Sequence, residues 1–265
     1  MKLRFLSFLA PLVSSFAIAQ EVKLPEKKDF QLFLLAGQSN MAGRGKQDEE
    51  SRKTDPRILA LNKKREWQVA ADPLHWDKSA AGTGLARPFA AVIAGKNPGA
   101  TIGLIPTACG GSPIDTWQPG KHWSQTNSDP WDDSIAAAKV AMKDGTLKAI
   151  LWHQGESDSN AKEAPLYKEK LKDLIERFRK ELGDPELPFI IGQLGRFPAK
   201  PWDANREAVD AAQQAVAKEV KNVRFVPVPD PKSIGDNLHF DTPTLRIMGK
   251  AYADAYLDII GKAKP

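Results

Sequence analysis

Five stretches of this 265-residue chain are apolar almost without interruption: residues 30–36, 101–106, 149–153, 189–194 and 223–228. A strand with one wet face alternates apolar and polar residues, whereas a strand covered on both faces does not. Segments of helical spacing separate the runs. In the clearest, Tyr167, Leu171, Leu174, Ile175, Phe178 and Leu182 recur at steps of three and four, with Lys, Glu and Arg opposite. A second carries Val209, Ala212, Val216 and Val220, and a third, opened by Thr242 and Pro243, carries Leu245, Met248, Tyr252, Tyr256 and Ile259. This alternation predicts an α/β domain, a three-layer α/β/α sandwich around a five-stranded parallel sheet.

The first residues place Lys2 and Arg4 ahead of a short apolar run that ends in Ala17, Ile18 and Ala19. That pattern predicts a signal peptide over residues 1–19, export to the periplasm or the medium, and no membrane attachment after cleavage. Its loss removes two cations and no acid, so the formal charge falls from +5 to +3. The basic cluster at residues 62–65 is too short for a phosphate-tracking stripe and is expected to be a solvated loop; nucleic acid is not an expected partner. Cys109 is the only cysteine, which rules out an intramolecular disulfide and a cysteine-based metal cluster. Residues 20–265 contain no low-complexity linker or repeat and are expected to form one domain.

In an open parallel sheet, ligands bind beyond the carboxyl ends of the strands. Four of the five predicted strands deliver glycine-punctuated polar stretches there: G-Q-S-N after the first, C-G-G-S after the second, H-Q-G-E-S-D after the third and G-D-N-L-H-F-D after the fifth. Acyl transfer by a serine needs a hydroxyl, a base, a group that orients the base, and donors for an oxyanion. Ser39 supplies the hydroxyl and His239 the base. Asp236 stands three residues before the histidine, while Glu156 is a second acid able to approach it from the neighbouring strand end. The N–H groups of Ser39, Gly110 and Gly111 and the amide of Gln154 are the candidate oxyanion donors.

The blocks G-Q-S-N-M-A-G, G-G-S-P-I-D-T-W, W-H-Q-G-E-S-D and D-N-L-H-F resemble the successive motifs of the SGNH hydrolases. They are most similar to the branch that holds carbohydrate esterase family six, the acetylxylan esterases, and the sialate O-acetylesterases. The resemblance spans residues 34–241 and implies a flavodoxin-like sheet, Ser39 as nucleophile, His239 as base, and the same set of oxyanion donors. It implies no metal and no organic cofactor. The expected activity is hydrolysis of acetyl esters on xylan or a related glycan. A sialate O-acetylesterase is the alternative within the class, and a non-catalytic carbohydrate-binding protein the alternative outside it. Gln38 and Asn40, which flank Ser39, are expected to touch substrate. Five of the seven tryptophans, Trp67, Trp76, Trp117, Trp123 and Trp131, fall in or near two stretches read as long loops, residues 44–85 and 112–131. Their aromatic faces suit sugar rings, and Trp117, just after the Gly110–Gly111 turn, is the first choice as a platform.

Overall fold

The computed structural model describes residues 22–262, so the expected signal peptide lies outside the described residues. The five apolar runs form five of the six parallel strands of a larger sheet. Its strands are β1 (Phe30–Gly37), β2 (Ile58–Leu61), β3 (Trp67–Val69), β4 (Thr101–Pro106), β5 (Thr146–His153), β6 (Phe189–Gly192) and β7 (Val223–Val226), in the order β3-β2-β4-β1-β5-β6-β7. The sheet therefore has seven strands where five were expected. Both additions fall in the stretch read as a long loop. β2 is only four residues long and pairs in parallel with β4, while β3 is a three-residue edge strand antiparallel to β2. Runs this short carry no resolvable period. The basic cluster at residues 62–65 is the turn of that hairpin, where the Asn62 side chain accepts the N–H groups of Lys64 and Glu66.

β1 explains the three layers. Leu32 and Leu34 point to one face and Phe33 and Leu35 to the other, as a period of two requires. On the first face they meet helices α4 (Pro130–Ala141), α5 (Tyr167–Leu182) and α6 (Ala204–Glu219) through Ile135, Leu171, Leu174, Phe178, Val209 and Val216. On the second face, α3 (Ala86–Lys96) and α7 (Thr242–Lys262) supply Phe89, Ile93, Tyr252 and Tyr256. Phe33 packs edge-on against Phe89 and Tyr256, with ring centroids 4.8 and 5.2 Å apart. The helices with the predicted spacing are α5, α6 and α7.

β1 lies between β4 and β5, and the chain reaches β4 on one side before crossing to β5 on the other. The strand order thus reverses at β1, which makes its carboxyl end a switch point of the kind where open α/β sheets bind ligands. Gly37 terminates β1 there with φ of +127°, and a Cβ at this position would sit 2.2 Å from the carbonyl oxygen of His153. Only glycine allows β1 to press this closely on β5 and turn at once into α1 (Ser39–Ala42), a single helical turn.

Candidate active site

Ser39 opens α1 and is 7% exposed, so nearly all of the residue is buried. His239 arrives from the loop before α7, 200 residues later in the chain, and its Nε2 lies 3.0 Å from Ser39 Oγ. The other ring nitrogen, Nδ1, lies 2.6 Å from Asp236 Oδ2. Asp236 also accepts the backbone N–H groups of Leu238 and His239 on Oδ1, each at 2.9 Å. Partial burial raises the Asp236 carboxyl, but the His239 N–H, the imidazole and the Leu238 N–H together outweigh it and hold the carboxyl below its ordinary range. A carboxylate can only accept, so Nδ1 carries the proton and Nε2 accepts from Ser39. Hydroxyl, imidazole and carboxylate stand in series, the arrangement that lets a serine lose its proton as it attacks a carbonyl.

Glu156, the second acid weighed for the histidine, faces elsewhere. Its Oε1 accepts the Asn40 side-chain amide at 2.6 Å and lies 3.7 Å from Nε2 of the buried His153. Burial raises this carboxyl, and His153 and Asn40 outweigh the effect and hold it low. Tyr252 donates its hydroxyl to the Trp152 carbonyl and so accepts from His153 Nδ1, at 3.3 Å.

Asn40, expected at the substrate, is 1% exposed and turned inward. Its amide donates to the Leu238 carbonyl at 3.1 Å and accepts the Phe240 N–H at 3.1 Å. The residue beside Ser39 therefore grips the backbone on both sides of His239, and Glu156 holds that residue in turn. Gln38, also expected to touch substrate, is 3% exposed; its side-chain oxygen faces the N–H groups of Gly155 and Ser157 at 3.5 Å. Trp117, the first choice for a sugar platform, is fully buried. It stacks edge-on against Trp152 with centroids 5.0 Å apart and donates its indole N–H to Ser112 Oγ. A short 3-10 turn at Ile114–Thr116 folds it beneath the Gly110–Gly111 turn. These three residues support the site from below.

Two of the expected oxyanion donors are already engaged. The Gln154 amide donates to the Ser112 carbonyl at 3.0 Å and to Asp158, and its oxygen accepts the Tyr167 hydroxyl. The Gly110 N–H donates to Asp77 Oδ2 at 2.9 Å. Asp77 is paired with Arg44 in an ion pair whose side chains are 3% and 4% exposed, and a Cβ on Gly110 would stand 2.6 Å from both partners. The glycine is thus required by the ion pair packed against it. Sequence reading missed Arg44 and Asp77, because nothing in their spacing of 33 residues marks them as a pair. Among the described residues the Gly111 N–H has no acceptor, and the Ser39 N–H, first in its helix, has no helical carbonyl to reach. Asp241, close to His239 in sequence, accepts the Thr244 N–H at 2.9 Å and caps α7.

The sequence and fold have clear relatives. A probable carbohydrate esterase of Arabidopsis thaliana is 31% identical over 251 residues, which cover 86% of this chain and 90% of that protein. Its X-ray structure superposes with a TM-score of 0.77 over 88% of this chain and 99% of the other, at 30% identity. The crystal structure of NanS gives a TM-score of 0.72 at 16% identity, over 90% of this chain and 100% of the other. A carbohydrate acetylesterase from Xanthomonas citri gives 0.68 at 22% identity, over 88% of this chain and 57% of the other. At these last two identities the likeness is one of fold. Residues 29–258 match the family described as carbohydrate esterase, sialic acid-specific acetylesterase. With that match across most of the chain, and a serine, histidine and aspartate in series at the switch point, the protein belongs to this family of carbohydrate acetylesterases and is a carboxylic ester hydrolase.

Proposed function

We propose that the protein removes acetyl groups from O-acetylated sugars with Ser39 as nucleophile, His239 as general base and acid, and Asp236 as the group that orients the imidazole. The observation that carries this reading is the unbroken chain from Asp236 Oδ2 through the His239 ring to Ser39 Oγ, at 2.6 and 3.0 Å. Ser39 Oγ attacks the ester carbonyl while Nε2 takes its proton. The tetrahedral oxyanion meets the free N–H groups of Ser39 and Gly111. The protonated imidazole then gives its proton to the departing sugar oxygen, leaving an acetyl-serine. Water, deprotonated by the same nitrogen, attacks that ester, and acetate leaves as Ser39 recovers its proton.

Acetylated xylan or a related plant glycan is the substrate we propose first, in line with the motif resemblance to the acetylxylan esterases. Export, resting on the character of residues 1–19, would bring the enzyme to such a polymer. The family match favours a second reading, O-acetylated sialic acid. Acetate release from acetylated xylan and from O-acetyl sialic acid, by wild type and by Ser39→Ala, separates the two. Release from either substrate that persists in Ser39→Ala would overturn the assignment of the nucleophile.

A further inference from the structure

Trp76 is 44% exposed, whereas the other tryptophans are buried or half-buried. Its exposed indole leaves an apolar face that a ligand ring could cover with favourable burial. Trp76 lines a cleft of about 260 Å³ together with Leu61, Lys63, Arg65, Thr107 and Asn127. Leu61 ends β2, and Thr107 follows the last residue of β4, which places the cleft at the carboxyl edge of the sheet, the edge that carries Ser39. The next residue after Trp76 is Asp77, whose carboxylate fixes the Gly110 N–H. Cys109, another lining residue, bonds through its N–H to the Gly37 carbonyl, two residues before the nucleophile. The cleft and the Ser39 turn therefore share a wall.

The distance suits a chain of sugars. Neighbouring strands lie ~4.8 Å apart, and β2 is two strands from β1, so the far side of the cleft is roughly 10 Å from the strand that leads into Ser39. One or two further saccharide units span that gap. Two cations line the cleft: Lys63 and Arg65 sit on the β2–β3 turn and make no salt bridge among the described residues, while the two carboxylates of the lining, Asp77 and Asp133, are engaged by Arg44 and by the Asp129 N–H. Lys63 and Arg65 belong to the basic cluster that stands out in the sequence.

We infer that this cleft is a subsite for the saccharide units flanking the acetylated one, with a pyranose ring stacked on Trp76 and with Lys63 and Arg65 favouring a unit that carries a carboxylate. The C–H face of a sugar ring packs on an indole, and two unpaired cations at the mouth of a cleft attract a carboxylate. The inference rests on the esterase reading of Ser39, and the test keeps the two apart. Wild type, Trp76→Ala and the double variant Lys63→Ser, Arg65→Ser are compared on 4-nitrophenyl acetate, acetylated neutral xylo-oligosaccharides and acetylated oligosaccharides bearing a uronic acid. Trp76→Ala is expected to raise KM for both oligosaccharides about tenfold with kcat little changed. Turnover of 4-nitrophenyl acetate, too small to reach the cleft, should be unaffected, and Trp76→Phe should recover much of the loss. The double variant should raise KM for the uronate-bearing substrate alone, with the difference shrinking at ~1 M salt. An oligosaccharide KM indifferent to Trp76→Ala overturns the subsite, and equal effects of the double variant on neutral and uronate-bearing substrates overturn the carboxylate preference. If wild type cleaves none of the three, the esterase reading fails instead. Calorimetric binding of deacetylated oligosaccharides then decides the cleft alone: weakening by Trp76→Ala supports it, and no binding or no weakening overturns it.

Discussion

The two halves of the Ser39–His239 contact are built differently. Ser39 stands on a turn clamped between β1 and β5, with Gln38, Asn40, His153 and Glu156 packed around it, their side chains at most 5% exposed or their residues fully buried. His239 and Asp236 stand on a loop whose side chains are 20% and 40% exposed and whose backbone passes through left-handed conformations at Gly235 and Asn237. Ser39, the proposed nucleophile, is held by the core and His239, the proposed base, by a surface loop, with Asn40 as the tie between them. A site built this way separates stability from chemistry: on the loop side a substitution alters turnover with little cost in folding, and among the buried side chains packed around Ser39 it alters both.

Four variants test that separation, taken from the largest expected effect to the smallest. Ser39→Ala should abolish acetyl-ester turnover, by about 10⁴-fold or more, with the thermal midpoint nearly unchanged, since the change removes one oxygen whose hydrogen-bond partner, His239, is on the exposed loop. Asp236→Asn should lower kcat about 10³-fold by removing the carboxylate that fixes the imidazole tautomer. Its unfolding midpoint at pH 7 should move little, and a large drop would show that the loop is structurally as demanding as the core. Asn40→Ala should cost about 10²-fold in kcat and roughly 2–3 kcal/mol in urea unfolding, because it frees the His239 loop and leaves Glu156 without its amide donor. A variant that is as stable as wild type but slow would break the proposed coupling of the two halves.

The fourth variant, last in the order of effects on turnover, concerns the pH dependence of stability. Burial pushes the Asp158 carboxyl up to about 6, against the opposing bonds from Gln154 and the Ile114 N–H. The folded state binds the proton more tightly than the unfolded one, so this group makes stability fall as pH rises from about 4 through about 6, by up to roughly 3 kcal/mol, and not change further above that. Asp158→Asn should remove that fall. Unfolding midpoints measured across pH 4 to 8 give the answer, and parallel curves for the two proteins would contradict it.

The parts of this structure legible in sequence are those where one physical demand dominates. β1, β4 and β6 read as strands because burial on both faces leaves little room for polar residues, and β5 and β7 because the apolar runs that cover or extend them are long enough to stand out despite Lys148 and Arg224. Asp236 and His239 read as partners because three residues on a tight turn bring carboxylate and imidazole together. β2 and β3 did not read as strands, because the apolar run at β2 stops after four residues between Arg57 and Asn62 and β3 is three residues with Gln68 at its centre, whereas the runs at β6 and β7 continue past the strands themselves. The donors were harder for a different reason. That Gln154 and Gly110 carry N–H groups is plain from their identity, but Ser112, Asp158 and Asp77 engage them through tertiary approach. Trp117 misled in the same way: a position next to the Gly110–Gly111 turn does not say which side of the turn the ring takes, and here it takes the core.

The Asn40 tie joins residues about 200 positions apart, and the hydroxyl and its base are equally distant. Few contacts in a chain of this size close a longer loop, and such contacts are among the slowest to form. A growing or partly folded chain thus possesses the nucleophile long before it possesses the base. On the proposed mechanism, reactivity requires the segment leading into α7 to dock, so acetyl-ester turnover during refolding should appear late, with the final contacts.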